Sequence, residues 1–275
     1  MTREEIESRL KELSPETPWA HLYEFVPGLF SVTPESEQFY KKATGLNRIG
    51  EALLQIAETQ VYGHSLEGKR VLDLACGEGR HSVMFAERGA QVMGVEGRKL
   101  YVDRAKFAAG AVGQPQIEFI QGDVRKLDPE LGVFDVVIFS GILHHLGIDD
   151  FDAMVRELGR LTTDMLLIYT HVSSDLSIKR HNLKGPVKTE AGREGYLFRE
   201  HKDNATDHQK ESQVRASLDN TFSFWAKEEV LINSLRSAGF PVILKVMSPH
   251  VLGWENASYR PILVAKKAKI EVHQR

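Results

Sequence analysis

Residues 3–13 place Ile6, Leu10 and Leu13 at the spacing of one helix face, and Pro15 and Pro18 mark where that helix stops. The stretch on to Pro34 has no period and reads as loop, with Trp19, Phe25 and Phe30 packing onto the rest of the chain. Phe39, Leu46, Ile49, Leu53, Leu54 and Ile56 then share one face, with Gly45 interrupting it, so the spacing predicts helices over 37–44 and 46–60. From residue 70 the texture changes to short β-branched runs alternating with helical ones, as βαβ units require. Strands are expected over 70–75, 91–95, 116–120, 134–140, 164–170, 241–247 and 260–266, and helices over 79–89, 98–112, 151–162 and 226–238. Seven strands, the last two without a helix between them, make an α/β doubly wound sheet whose last strand runs antiparallel.

More than fifty residues separate the fifth strand from the helix at 226, and a connection that long is seldom idle. It is rich in Tyr, Phe, Leu and Trp, which suits a cap over the C-terminal edge of the sheet better than a linker. Four parts follow: a helical leader at 1–69 covering the site, a core at 70–170, an inserted substrate cap at 171–225, and the C-terminal part of the sheet at 226–275.

Composition narrows the chemistry. The 275 residues are 42% hydrophobic and 27% charged with a formal net charge of −3, so no broad cationic field invites a nucleic-acid polymer. The basic residues of the insertion are interleaved with acidic ones, which reads as a solvated mixed surface. Cys76 is the only cysteine, which excludes an internal disulfide and a cysteine zinc cage and favours a reducing compartment. The charged N-terminus has no apolar signal core and no run of 18 apolar residues occurs, so a cytoplasmic protein without a membrane partner is expected. The sequence does not define an oligomeric state.

The candidate chemistry begins at "VLDLACGEGRHS", where a strand ends in two glycines and a helix follows. Glycine lets the backbone turn sharply and approach a ligand closely. A nicotinamide site would place a third glycine where His81 or Ser82 stands, and the acids Asp73 and Glu78 would repel a diphosphate. A ligand carrying an ammonium group suits them better.

D-L-A-C-G-E-G resembles the D-x-x-x-G-x-G loop of class I S-adenosylmethionine-dependent methyltransferases. The strand ends that follow agree: "QVMGVEG" supplies Glu96 about 20 residues beyond the loop, "FIQGDV" supplies Asp123, and "FDVVIFSGILHHL" is similar to the segment facing the methionyl group and acceptor. The resemblance spans 70–170 and, more loosely, 226–267, and implies a Rossmann-like fold and the cofactor S-adenosyl-L-methionine, released as S-adenosyl-L-homocysteine. It implies that Asp73, Ala75, Gly77 and Gly79 hold the amino-acid end, Glu96 and Gly97 the ribose, Asp123 and Val124 the adenine, and Ser140 and Gly141 the floor near sulfur.

His145 and His171 are the candidate bases, since imidazole titrates near neutrality. Phe39, Tyr40, His144, Glu200, His201 and Trp225 are candidate acceptor contacts. Of the neighbours His144 and His145, alternation along a strand allows one to face the site. No H-E-x-x-H occurs and no metal is expected, although His145, His171 and His201 would have to be checked for convergence. The expected activity is methylation of an O or N atom on a small-molecule or glycan-type acceptor. A tRNA-modifying methyl or carboxymethyl transferase and a catalytically silent S-adenosylmethionine-binding protein are the alternatives.

Overall fold

The computed structural model describes residues 1–14, 18–33, 35–213, 216–247 and 253–268. Pro15, expected to help stop the first helix, lies outside them. The leader contains α1 (Arg3–Glu12), a small hairpin of β1 (Glu24–Val26) and β2 (Leu29–Phe30), and α2 (Glu37–Gln60). Thr2 and Glu5 form a reciprocal capping box that starts α1.

α2 runs unbroken for 24 residues, correcting the expected interruption at Gly45. A mid-helix glycine costs about 1 kcal/mol relative to alanine. The buried stripe Ala43, Ile49, Leu53, Leu54 and Ala57 continues across it and outweighs that preference. Gly50, on the same helix, is required by packing, since a Cβ there would stand 2.6 Å from the His81 ring. Its absence lets α2 lie directly on the helix that carries His81.

The core follows as β3 (Arg70–Leu74), α3 (Arg80–Ala86), β4 (Gln91–Glu96), α4 (Lys99–Ala111), β5 (Glu118–Gln121), β6 (Phe134–Ser140), α5 (Phe151–Leu161) and β7 (Thr162–Tyr169). The insertion holds α6 (Asp175–His181), β8 (Lys184–Lys188), β9 (Glu194–Arg199), α7 (Asp207–Glu211) and β10 (Phe222–Ala226). The chain then forms α8 (Glu228–Ser237), β11 (Val242–Val246), α9 (Trp254–Tyr259) and β12 (Ile262–Lys266). The short α9 corrects the expectation that no helix separates the last two strands.

Seven strands form one sheet in the order β11-β12-β7-β6-β3-β4-β5. β12 pairs antiparallel with both neighbours, while the pairs joining β7, β6, β3, β4 and β5 are parallel. The period-2 pattern sorts side chains to two faces. Val71, Val136, Ile138, Met165, Leu167 and Val264 pack under α1–α4, while Leu72, Val137, Phe139, Leu166, Ile168 and Leu263 pack under α5 and α8. From β3 the chain winds outward through β4 and β5, then returns to β6 on the other side of β3. The C-terminal ends of β3 and β6 therefore flank the crevice at which open α/β sheets bind ligands.

The insertion, read from sequence as a cap without defined elements, contains the antiparallel sheet β10-β9-β8. It docks through Phe224 N–H donating to Leu146 O at 2.8 Å and Trp225 Nε1–H donating to His144 O at 3.0 Å. Among the described residues no helix is long and apolar enough to cross a membrane.

Candidate active site

The loop after β3 turns through positive φ at Ala75 (56°), Gly77 (56°) and Gly79 (76°). Ala75 is the notable one, because a side chain disfavours that region and such strain concentrates at ligand sites. At Gly79 a Cβ would stand 2.7 Å from the Phe119 ring and 3.0 Å from Ala105 Cβ, so both the turn and its packing demand glycine. At Gly77 a Cβ would meet only His21 Cε1 at 3.5 Å, which leaves the backbone open to the crevice.

Glu96, at the end of β4, is 5% exposed and borders two adjoining cavities of about 200 and 60 Å3. Its carboxylate accepts from Gly77 N–H at 3.0 Å and Arg98 N–H at 2.8 Å. An ionised carboxylate has about four acceptor positions, so these amides leave acceptor capacity for a ligand. Burial raises its pKa above the usual carboxylate value, against the hydrogen bonds from those amides.

The larger of these two cavities is lined by Ala75, Gly77, Tyr101, Ser140, Gly141 and Ile142, and by His21, Leu46 and Ile49 of the leader. The smaller is lined by Gly97, Gly122, Asp123, Val124 and insertion residues 216–220. Leu218 lies so close over Gly97 that a Cβ there would come within 2.5 Å of it.

Two of the acids sit differently from their sequence reading. Asp73 lies beneath the loop, 1% exposed, and accepts a hydrogen bond from Ser82 Oγ at 2.7 Å; it does not border either cavity. Burial pushes its pKa up to about 7, with the Ser82 bond working the other way. Glu78 is fully buried, accepting from Ala20 N–H, His21 N–H and Arg104 Nη1–H at 2.8–3.0 Å. It fastens the leader over the glycine loop and brings His21 above Gly77. Burial alone would raise the Glu78 pKa, but His21, Arg104 and the amide donors hold it below the usual range.

Asp123 reaches the smaller cavity with its carboxylate already engaged by Arg125, through Nε at 2.9 Å and Nη2 at 2.8 Å. Arg125 also grips Asp219 of the insertion at 2.7 Å. It thereby links the strand end to the segment lying over it.

A third cavity, of about 370 Å3, adjoins the first on the far side of β6. Its walls are Lys42, Gly45, Leu46 and Ile49 from α2, His144 and His145, Tyr169, His171, His181, Phe198, Trp225 and Arg260. His144 and His145 both face it, correcting the expectation that only one would. They stand on a 3-10 turn (Leu143–His145) rather than a strand, so strict alternation does not separate them, and their ring centres are 4.3 Å apart.

Their ring nitrogens are held by different partners. His145 Nδ1 lies 2.7 Å from Glu200 Oε1, so Nδ1 carries the proton and Nε2 keeps its lone pair. His144 Nδ1 lies 3.1 Å from Thr170 Oγ1 and 3.3 Å from His171 N, so a hydroxyl and an amide both hold that edge of the ring. Glu200 is itself fixed by Ser223 Oγ–H at 2.6 Å, and although its burial works upward, the bonds from His145 and Ser223 keep its pKa below the usual range.

His171 stacks between Trp225, at 4.3 Å, and Tyr259, at 5.7 Å. Burial, reinforced by Arg260, pushes its pKa far down, which removes its basicity. Trp225 lies in the cavity wall as expected, whereas Glu200 acts from behind His145.

Three expected contacts fall elsewhere. His201 is buried with Nε2 at 2.8 Å from Ser217 O and does not converge with His145 and His171. Tyr40 packs against the leader core. Phe39 is 44% exposed beside a separate opening lined by Trp19, Ala20, Lys42 and Ala216. Lys42, His181, Phe198 and Arg260 were not singled out from sequence. Arg260, between α9 and β12 in "ASYRPILV", offers no local motif.

Residues 71–164 match the model of the methyltransferase domain family. The magnesium-protoporphyrin O-methyltransferase of Rhodobacter capsulatus is 35% identical over 97 residues, 35% of this chain and 42% of that protein. A tRNA U34 carboxymethyltransferase of Citrifermentans bemidjiense is 33% identical over 81 residues, 29% of this chain and 25% of its own. The chain thus spans less than half the length of these curated relatives. Crystal structures of the N-terminal domain of EvdMO1, with S-adenosylhomocysteine bound and in the presence of S-adenosylhomocysteine and D-fucose, share the fold at TM-scores of 0.70 and 0.69 with 23% and 24% identity. Each comparison covers 98% of both chains, so the shared fold extends through the leader and insertion as well as the core.

The crevice fits S-adenosylmethionine. Glu96 keeps acceptor capacity for a ligand hydroxyl, and the loop backbone at Gly77 is open to a ligand.

Proposed function

We propose that this protein transfers a methyl group from S-adenosylmethionine to a hydroxyl of a small-molecule or glycan-type acceptor held in the 370 Å3 cavity. The observation that carries this reading is His145, which borders all three cavities while Glu200 holds its Nδ1 at 2.7 Å. The sulfonium supplies an activated methyl group. Glu96 would hold the ribose, and Ser140 and Gly141 would bound the methionyl end.

A hydroxyl must lose its proton as its oxygen bonds to carbon. His145 Nε2 receives that proton, and the Glu200 carboxylate stabilises the resulting imidazolium through Nδ1–H. Glu200 stays ionised at neutral pH because its pKa is lowered, so this support is present throughout the working range. His144, beside it in the cavity wall, helps to orient the acceptor. The leader and the β8–β10 sheet cover the site and keep water from competing for the methyl group.

An O-methyltransferase among the relatives, and a structural neighbour crystallised in the presence of D-fucose, support the acceptor class. The tRNA-modifying relative supports the alternative, which the net charge of −3 opposes. Transfer of labelled methyl groups to a pool of sugars and small hydroxylated metabolites, and separately to total tRNA, tests the choice. We expect label in the small-molecule pool, falling about 10²- to 10⁴-fold in His145→Ala with a much smaller change in cofactor affinity. Label in tRNA, undiminished turnover in His145→Ala, or cofactor binding with no transfer to either pool would overturn it.

A further inference from the structure

The geometry points to an acceptor that carries an oxyanion, a carboxylate or phosphate group, bound by Arg260 with Lys42 at the rim of the histidine-lined cavity. This inference rests on the methyltransferase reading and adds the acceptor's charge.

Arg260 borders the acceptor cavity with its guanidinium 4.8 Å above the Tyr169 ring. Its Nε is buried without a hydrogen-bond partner, and among the described residues no carboxylate pairs with it. His171 Nδ1, in the same wall, is also buried and unpartnered. No Asp or Glu lines this cavity, and Glu200 is committed to His145. Buried charges are ordinarily paired, because an uncompensated one loses its hydration without return. The molecule pairs its fully buried guanidinium, Arg104, with Glu78 at 2.8 Å, whereas Arg260 is half-buried and only its Nε is closed off from solvent. Arg260 is therefore left for a charge brought by a ligand.

Arg260 borders both the histidine-lined cavity and the cavity beside Glu96, and its place along the sheet favours the acceptor. Arg260 directly precedes Pro261 and β12 and covers the end of β7, whereas the glycine loop and Glu96 follow β3 and β4. In the order β12-β7-β6-β3-β4, β7 is two strand spacings from β3, roughly 10 Å. His145, between them, borders both cavities. An acceptor anchored on Arg260 would thus lay its hydroxyl towards His145. A planar guanidinium suits an oxyanion in two directions at once, and Lys42 adds a point charge at the open side.

The test is calorimetric titration of the S-adenosylhomocysteine-saturated protein with matched pairs, benzoate against benzamide and D-glucuronate against D-glucuronamide, and with inorganic phosphate. We expect at least one anion to bind, at least about tenfold more tightly than its neutral partner where it has one. Arg260→Gln should abolish that preference, Arg260→Lys should keep part of it, and Lys42→Gln should reduce it less. Equal binding of acid and amide, binding of none of the anions, or a preference that survives Arg260→Gln overturns the inference. So does an Arg260→Gln protein that loses affinity for S-adenosylhomocysteine but not for 5′-methylthioadenosine, because the guanidinium would then serve the cofactor carboxylate. The saturating titration itself separates the two ideas: a wild-type protein that fails to bind S-adenosylhomocysteine refutes the parent reading, whatever the anions do.

Discussion

The two halves of the crevice are built by different rules. On the β3–β4–β5 side each functional group stands at the end of its own strand, within residues 73–125, and backbone amides do much of the holding: Gly77 and Arg98 fix the Glu96 carboxylate. On the β6–β7–β12 side the groups come from α2, the turn after β6, α6, the insertion and the residue before β12. There, side chains hold side chains. His171 N–H orients His144, Glu200 orients His145, and a column of rings, Phe198, Trp225, His171 and Tyr259, joins the insertion to the core at centre spacings of 5.0, 4.3 and 5.7 Å. A shared ligand suits the first construction, and an acceptor that varies between relatives suits the second.

The sharpest way to break this division is Glu96→Ala. Hydrogen bonds to a charged group contribute about 1.5–3 kcal/mol each, so losing two to the ribose should weaken S-adenosylmethionine about 10²- to 10⁴-fold by calorimetry. Binding of the anionic probes on the other side should change little. Equal damage to both would show that the halves are one coupled unit.

A second test concerns Asp73, which has the charge expected of a cofactor contact but the burial of a core residue. Its native pKa is near 7 against an ordinary 3.8, so the folded protein holds a proton that the unfolded chain releases earlier. Stability is therefore lowered progressively as pH rises from about 4 to 7, and the cost is full above that. Asp73→Asn keeps an oxygen to accept from Ser82 and has no charge to bury. It should melt several degrees higher than wild type at pH 8, with the advantage fading by pH 4.5. An Asn protein equally destabilised at both values would mean that the ionised carboxylate has a partner in solution. A loss of cofactor affinity in the same variant would show that the charge acts on the ligand's ammonium from below the loop.

Sequence patterning made the strands of the sheet legible because alternation sends Val71, Val136 and Met165 to one face and Leu72, Val137 and Leu166 to the other. Glu96 and Asp123 were legible because a strand, a turn and an acid are neighbours in the chain. Gly45 misled because local propensity says nothing of the tertiary stripe that carries α2 past it. Glu78 misled for a related reason: its partners Ala20, His21 and Arg104 lie 58, 57 and 26 positions away. The acceptor side was legible only where histidines and aromatics stood out by type. Lys42, His181 and Arg260 meet only after the leader, insertion and last strand have folded together, and no period or motif announces that meeting.

The smallest expected effect lies where the halves touch. Arg125 binds Asp123 of the nucleoside side and Asp219 of the insertion, all three partly exposed to solvent. Exposed ion pairs contribute about 0.2–1 kcal/mol, so Arg125→Ala should change cofactor affinity by no more than about fivefold. Two opposing terms set its sign. Releasing Asp123 frees an acceptor for the adenine amine, while releasing Asp219 loosens the segment that lies over Gly97. The rate of dissociation separates them, since loosening the cover speeds escape whichever way the affinity moves. We expect stopped-flow release of S-adenosylhomocysteine to quicken several-fold, and more so at low salt in the wild-type comparison, where the ion pairs are least screened. Unchanged release would mean that the Asn220 Nδ2 bond to His145 O at 2.8 Å and the buried His201 hold the cover unaided. The acceptor half would then control access to the cofactor half.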